Sequence, residues 1–380
     1  MSTPGRPLPE GASARVDGAA ASLDQALAAA AELLLRARRP LVTGMAEATV
    51  EAQRAAVELA ELLQGVIDPA GSAAHAGAAA AFRTMGEVTA TLGEARARAE
   101  LLVYWGVDPD AVYPDFHAHF LAPVAGGPVR RTLAVDVGAA RGPAGADQRL
   151  AVDPDREVEL LWALRAAVRG RRLAPPPDAL PPGWSPARLR ELAGRLAACR
   201  YGVFFFEAEP PADRREPLRP LALGALAMDA RAGARLRVLG VRPPGNAAGA
   251  EAVLTWQTGF PAAVDFARGY PRFAPGEHDA ATLLACAGTD AVLLVGGAGE
   301  LPPAARAALT RLPLVAIGGP AAAGARVAIP TRVPEQTPGS CYRMDGLPLR
   351  RRIPETEMSA PTDEDVLRRL SALVREAGRP

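Results

Sequence analysis

His75 stands in the stretch Gly71-Ser72-Ala73-Ala74-His75-Ala76-Gly77, among residues with almost no side chain. An imidazole can move a proton or hold a metal, but either task needs partners. The one polar side chain beside it is Ser72, so on local grounds His75 is a lone histidine. His117 and His119, in DFHAHF, alternate as strand or loop neighbours would, and two histidines so spaced can share a metal. Asp115 is the carboxylate next to them, and it does not complete a zinc site. His278, in APGEHDAAT, reads as a solvated histidine where a helix begins. The three cysteines, Cys199, Cys286 and Cys341, are far apart and form no Cys-x-x-Cys pair, as expected of a reducing, cytoplasmic setting. Cys341 has no base beside it to make it a nucleophile, so a packed thiol is the plainer reading. Every basic side chain is an arginine. The lack of lysine removes Schiff-base chemistry, a lysine general base and the phosphate-binding lysine of a Walker A loop.

Open α/β sheets bind ligands at the turns after strand ends, which here points to WGVDP (Trp105 to Pro109) and VGGAGE (Val295 to Glu300). Neither is a fingerprint. Gly296, Gly297 and Gly299 lack the G-x-G-x-x-G spacing, and Pro302 and Pro303 stand where a pyrophosphate-facing helix would open. A nicotinamide-dependent dehydrogenase, suggested by the strands alone, is disfavoured on that ground, and plain turn chemistry is preferred. Two further stretches mix polar and aromatic residues with glycine and proline: Asn246 to His278, with Trp256, Gln257, Phe266, Arg268 and Tyr270, and Pro334 to Arg352, with Cys341, Tyr342, Arg343 and Asp345. Both are expected to be irregular and to present a binding surface.

The elements that must position these groups are well marked. Short apolar runs ending on or near glycine recur as RRPLVTG, AELLVYWG, RTLAVDVG, YGVFFFE, RLRVLGV, DAVLLVGG, LPLVAIGG and ARVAIP, separated by stretches with helical spacing. That alternation predicts an α/β fold with Rossmann-like parallel sheets in two related lobes. Ser22 with Gln25 and Thr362 with Asp365 form capping boxes, and Ser185 precedes Pro186 as an N-cap. The last helix gathers Val366, Leu370, Leu373 and Val374 on one face and should dock. APPPDALPPG reads as a linker, which divides the chain into a flexible N-terminus (1–22), a first lobe (23–173), a linker (174–184), a second lobe (185–330) and a C-terminal segment with a docking helix (331–380). ARAELLVYWGVDPDAVYP and GTDAVLLVGGAGELPPAA share a strand, a glycine turn and a proline, which suits either a duplicated half or ordinary βα turns. With 43 basic against 42 acidic residues and no run of like charge, neither nucleic acid nor a membrane surface is an expected partner. The start has no apolar signal region, and no segment approaches the roughly 20 apolar residues of a bilayer span.

Several ordered segments carry a resemblance. TWQTGFPAAVDFARGYPRFAPGE, then DAVLLVGG, LPLVAIGG, ARVAIP and GSCYRMDGLPLRRR, together with TGMAEATVEAQRAAVELAELLQGVID and AELLVYWGVDPDAVYPDF, resemble the B subunit of formylmethanofuran dehydrogenase, of the molybdopterin oxidoreductase superfamily. The likeness runs from about Arg38 to the end. In redox-active members, an N-terminal module holds a [4Fe–4S] cluster, and a cysteine or selenocysteine just ahead of the histidine ligates molybdenum or tungsten carried by two pterins. Here Ala74 precedes His75 and the first cysteine is Cys199. Thiolates are what such centres require, so the resemblance implies a redox-inactive fold lacking the iron–sulfur module, with no catalytic residue, metal or cofactor of its own.

By resemblance, the chain is expected to be the non-catalytic scaffold of a bacterial formyltransferase/hydrolase complex. That complex converts formyl-tetrahydromethanopterin to formate through a methanofuran-like carrier during C1 oxidation. The implied partners are an amidohydrolase-like subunit, a formyltransferase subunit, a β-helical subunit and the polyglutamate tail of the carrier. A vestigial pterin cleft is expected near His75, Trp105, Gly106, Asp108, Trp256, Gln257, Gly296, Gly297, Arg343 and Asp345, collapsed, filled by side chains or turned over to a partner. The alternative reading keeps an active molybdenum or tungsten pterin, its metal bound by dithiolenes alone.

Overall fold

The computed structural model describes residues 13–171, 180–211, 216–230, 235–299, 301–318, 324–352 and 360–378. The described chain opens with strands β1 (Ala14–Val16) and β2 (Ala19–Ala21), then helix α1 (Leu23–Arg36), β3 (Pro40–Gly44), α2 (Val50–Leu62), β4 (Val66–Pro69) and α3 (Ser72–Met85). It continues through α4 (Leu92–Arg98), β5 (Leu101–Trp105), α5 (Pro109–Val112), α6 (Phe116–Phe120), β6 (Arg131–Val137), β7 (Gln148–Val152) and α7 (Glu157–Val168). Next come α8 (Pro186–Ala198), β8 (Tyr201–Glu207), α9 (Arg219–Asp229), β9 (Arg235–Val241), α10 (Ala247–Thr258), β10 (Val264–Asp265) and β11 (Arg272–Phe273). The last elements are α11 (Ala280–Ala285), β12 (Ala291–Val295), α12 (Pro303–Leu309), β13 (Leu314–Ile317), β14 (Val327–Ile329), β15 (Gly339–Tyr342), β16 (Pro348–Arg351) and α13 (Asp363–Ala377). All eight apolar runs expected as strands form strands.

They pair into two doubly wound sheets. One has the order β7-β6-β5-β8-β9, wholly parallel. The other has the order β11-β10-β4-β3-β12-β13-β14-β1-β2, parallel from β4 to β14 with antiparallel strands at both edges. Each sheet belongs to its own compact unit, Ala74–Pro244 for the first and Ser2–Ala73 with Gly245–Pro380 for the second.

This corrects the expected division into consecutive lobes. The second unit is assembled from both ends of the chain, and the first is inserted between them in sequence, because β3 and β12, buried along their whole length, pair with each other. Such strands are stable only inside a sheet covered on both faces. Of the expected linker, residues 174–179 lie outside the described residues, and the remainder leads straight into α8 within the first unit. The expected flexible N-terminus forms β1 and β2 where it is described, with residues 1–12 outside the described residues. The same holds for 353–359 and 379–380 of the C-terminal segment. The Asn246 to His278 stretch also departs from expectation, since its first third is the regular helix α10. Strand order argues against duplication: in chain order the parallel strands run 3-2-1-4-5 in one sheet and 2-1-3-4-5 in the other, so the shared motif is βα-turn chemistry.

Alternation along the strands feeds a separate core to each face. Val42, Leu293, Val295 and Val315 pack against α1, α2 and α13, whereas Leu41, Val292 and Leu294 pack against α11 and α12. In the first unit Leu101, Val103 and Trp105 face α7, α8 and α9. On the other face Tyr104 stacks on Phe205, and Phe116 of α6 meets Phe205 edge-on. The terminal helix docks as expected, with Val366, Leu370 and Val374 buried against α2 and α1. Its capping box is complete, as are that of Ser22 and the cap at Ser185. Thr362→Ala is expected to lower stability by about 1 kcal/mol, read as a shift in a urea unfolding midpoint at unchanged slope.

Candidate functional site

The carboxyl ends of the parallel strands form a mouth in each unit, and the sheet order places the divergence point between β3 and β12 in the second. There β3, β12 and β13 each end on a glycine of positive φ, Gly44 at 94°, Gly296 at 75° and Gly318 at 77°. The space this leaves is taken by acids. Glu47, just after β3, lies over the glycine turn: a Cβ on Gly297 would come within 3.1 Å of its Oε1, and one on Gly296 within 3.3 Å of its Cβ. Asp363, at the start of α13, accepts a hydrogen bond from the Thr331 hydroxyl, and its Oδ1 would be 3.0 Å from a Cβ on Gly318.

Burial pushes the Asp363 carboxyl up to about 6, against the Thr331 hydroxyl, and the Glu47 charge adds to the rise. Burial raises Glu47 as well, helped by Glu335. A carboxyl raised in the folded state favours folding fully below its ordinary value and loses that contribution as pH climbs through the raised one. Unfolding free energy is therefore expected to fall between about pH 4 and pH 6 on account of Asp363. Asp363→Asn should flatten that part of the profile, and an unchanged slope in urea titrations would refute the assignment.

In the first unit the turn after β5 holds Gly106, at φ 61°, and Asp108, whose carboxylate caps α5 by accepting the Asp110 amide at 3.2 Å. His117 sits between Asp110, whose Oδ2 is 2.5 Å from its Nδ1, and the Tyr104 hydroxyl, 2.8 Å from its Nε2. Ligand atoms of Asp108, Asp110 and His117 lie within 4.8 Å of one another, although both ring nitrogens of His117 already have protein partners. The strand or loop expected for His117 and His119 is corrected. Both lie on the short helix α6, where a two-residue step turns the side chains about 200° apart.

Trp105 is not a cleft residue. Strand alternation sends its ring into the core, 1% exposed, where Nε1 donates to Glu157 Oε1 at 2.7 Å. Glu157 also accepts two bonds from Arg219, Nε at 2.5 Å and Nη2 at 2.8 Å, both residues being buried.

His75 lies in the first turn of α3, partly buried. Close packing accounts for the small residues around it: a Cβ on Gly77 would come within 2.9 Å of the Pro217 carbonyl oxygen, and Met85 further along α3 packs over Gly224 of α9. Ser72 donates to Asp68 at 2.5 Å. In the second unit Trp256 and Gln257 are exposed on α10, with the Trp256 ring edge-on to Tyr342 at 5.7 Å. Arg343 and Asp345 form a two-bond pair at 2.7 and 2.6 Å, so each answers the other's charge. His278, expected in a solvated loop, is buried with Nε2 3.4 Å from Asp265. The site residues expected from sequence thus fall in both units, His75, Trp105, Gly106 and Asp108 in one, the remainder in the other. Sequence reasoning missed Glu47, Asp363 and Thr331. Glu47 was findable, since it follows the strand end TGMAE, the position where such sheets carry function.

No family model matches the chain. It is 31% identical to the B subunit of a tungsten-containing formylmethanofuran dehydrogenase from Methanocaldococcus jannaschii, over 91% of this chain and 82% of that protein. The chain belongs to the family of formylmethanofuran dehydrogenase B subunits. Another relative is the B subunit of the formyltransferase/hydrolase complex of Methylorubrum extorquens, 28% identical over 83% of this chain and 84% of that one. Among solved structures, a chain of that complex, crystallised with methylofuran, superposes with a TM-score of 0.79 at 28% identity, covering 97% of this chain and 100% of the other. Acetylene hydratase from Pelobacter acetylenicus superposes with a TM-score of 0.60 at 11% identity, over 94% of this chain and 59% of that one, which confirms the fold alone.

Membership of this formylmethanofuran dehydrogenase family raises the question of a pterin-bound metal, and the donor set does not fit one. Alanine at 74 offers no donor ahead of His75, and the cysteines lie at the end of α8, at the end of α11 and in β15. Nor does the glycine turn suit an anionic cofactor, because the Glu47 side chain lies against Gly296 and Gly297 where such a group would approach the backbone. The same acid, rather than phosphate-binding amides, meets any dinucleotide, and a nicotinamide role falls away with the family assignment. Among the described residues no helix is long and apolar enough to cross a membrane.

Proposed function

We propose that this chain is the B subunit of a formyltransferase/hydrolase complex, keeping an oxidoreductase fold as a scaffold while partner subunits carry out the chemistry. Formyl-tetrahydromethanopterin is converted there to formate through a methanofuran-like carrier. The observation that carries this reading is the end-to-end superposition on a chain of such a complex, together with alanine at position 74. Glu47 over the Gly296–Gly297 turn supports it, since a carboxylate held there competes with any phosphate. The partners are a formyltransferase subunit, an amidohydrolase-like subunit and a β-helical subunit, and the glutamate-rich tail of the carrier is a further ligand of the assembly.

Purification of the tagged chain from its native host, followed by identification of partners and metal analysis, tests this directly. The expected result is co-purification of formyltransferase and amidohydrolase-like chains, without stoichiometric tungsten or molybdenum. His75→Ala should leave formyl-group hydrolysis by the complex within about twofold of the parent, because its imidazole is not asked to bind or transfer anything. A second reading, an active tungsten-pterin subunit, draws on the slightly higher identity to the tungsten-containing relative. Stoichiometric tungsten with pterin in this chain would establish it in place of the first.

A further inference from the structure

Among the described residues, the hairpin β15–β16 has one closed edge and one open edge. The Arg343 amide donates to the Leu347 carbonyl, which marks that pair as hydrogen-bonded and, by antiparallel alternation, the pairs 341/349 and 339/351 as well. The outward groups of β15 are then those of Ser340 and Tyr342, and side chains answer them: Ser340 N donates to Glu51 Oε2 at 2.8 Å, and Tyr342 N to Asn246 Oδ1 at 2.7 Å. On β16 the outward groups are the Pro348 carbonyl and the amide and carbonyl of Arg350. Among the described residues β16 pairs with β15 alone.

An open edge of this kind takes an added strand, and its side chains choose which. Arg350 and Arg352 are exposed, as are Leu347 at 40% and Leu349 at 42%. A second copy of β16 laid along the edge would set arginines opposite arginines, which is repulsive across a strand pair. An acidic segment would meet the same arginines with complementary charge, and apolar residues alternating along it would cover the leucines. We propose that the free edge of β16 docks, through strand addition, an extended, acidic segment of one of the partner chains. The proposal rests on the reading that this chain assembles with other subunits, and it names the surface used.

The test uses the full-length tagged chain expressed with its partners in the native host. Arg350→Glu combined with Arg352→Glu, both on exposed side chains, should cut recovery of one partner by about tenfold or more while the isolated chain still unfolds cooperatively, with a lowered thermal midpoint because Arg350 also faces Glu51. In the parent complex, hydrogen exchange of the Arg350 amide should slow relative to the isolated chain. Cross-links from 348–352 should map to an acidic stretch of that partner, and arginines placed in that stretch should restore binding to the charge-reversed variant. If partners are recovered but the Arg350 amide exchanges equally fast in both states, or the variant keeps every partner, this surface is wrong and the assembly reading stands. Cross-links to a second copy, or to a segment without acids, also overturn it. Recovery of no partner by the parent chain overturns both.

Discussion

Glu157→Ala is expected to destabilise the first unit by about 3–5 kcal/mol, because it strands the Arg219 guanidinium in an apolar core. Arg219 is 5% exposed and Glu157 1%, so water cannot replace the lost partner, and Trp105 Nε1 loses its acceptor in the same step. Arg219→Met should cost a similar amount by the reverse route, leaving a carboxylate with the indole as its one neutral donor. The double variant Glu157→Leu with Arg219→Met should cost clearly less than the two single changes added, since it removes both charges together. Urea unfolding of all three, followed by tryptophan fluorescence, decides the matter. Single changes that shift stability by less than about 1 kcal/mol would mean that the pair contributes nothing beyond filling space.

Asp68→Leu should be nearly as damaging. The carboxylate at the end of β4 is fully buried and accepts from the Ser72 hydroxyl at 2.5 Å, the Ala263 amide at 2.7 Å and the Ala280 amide at 2.8 Å. It joins three separate segments of the second unit's loops, and leucine would leave those donors without an acceptor at a cost of about 3 kcal/mol or more. Burial pushes the carboxyl up to about 7 in spite of the three donors, with the Asp279 charge assisting. The stabilising contribution of the proton is therefore complete near pH 4 and is lost as pH rises through about 7. Asp68→Asn keeps an acceptor and carries no charge, so its stability should vary less with pH over that range than the parent's. At the acid end the sign reverses. Asp136, held down by the Arg149 guanidinium and the Gly142 amide despite burial, contributes stability that is lost as pH falls below the ordinary carboxylate range. On these groups stability is thus expected to peak near about pH 4, in the ordinary carboxylate range.

How much of the site could be read in advance follows from the range of the interactions. Asp108 as the residue after a strand end, and Gly296 and Gly297 as turn glycines, are local facts and hold. Trp105 was misread because a strand-end aromatic can face ligand or core, and only the side of the sheet taken by α7 and α9 decides which. Arg343 and Asp345 are two residues apart, yet that they satisfy each other depends on the turn of the hairpin that carries them. Asp363 could not have been placed at all, for its neighbours Thr331 and Glu47 are distant in the chain and meet it through the docking of α13.

Taken alone, the residues determined element types and their limits: apolar β-branched runs stopping at glycine became strands, and the Ser22, Ser185 and Thr362 caps opened helices where their side chains could accept the first free amides. They also determined that no thiolate precedes His75, since a missing sulfur is a covalent fact. The partnering of strands belonged to the tertiary structure. β3 lies between β4, a few residues beyond α2, and β12, which arrives after the whole first unit has been made. Spacing patterns record which side of an element wants burial, but not which distant element supplies it. The pairing that buries both faces of β3 and β12 exists once the chain has closed on itself, and the acids at the strand ends meet through that closure.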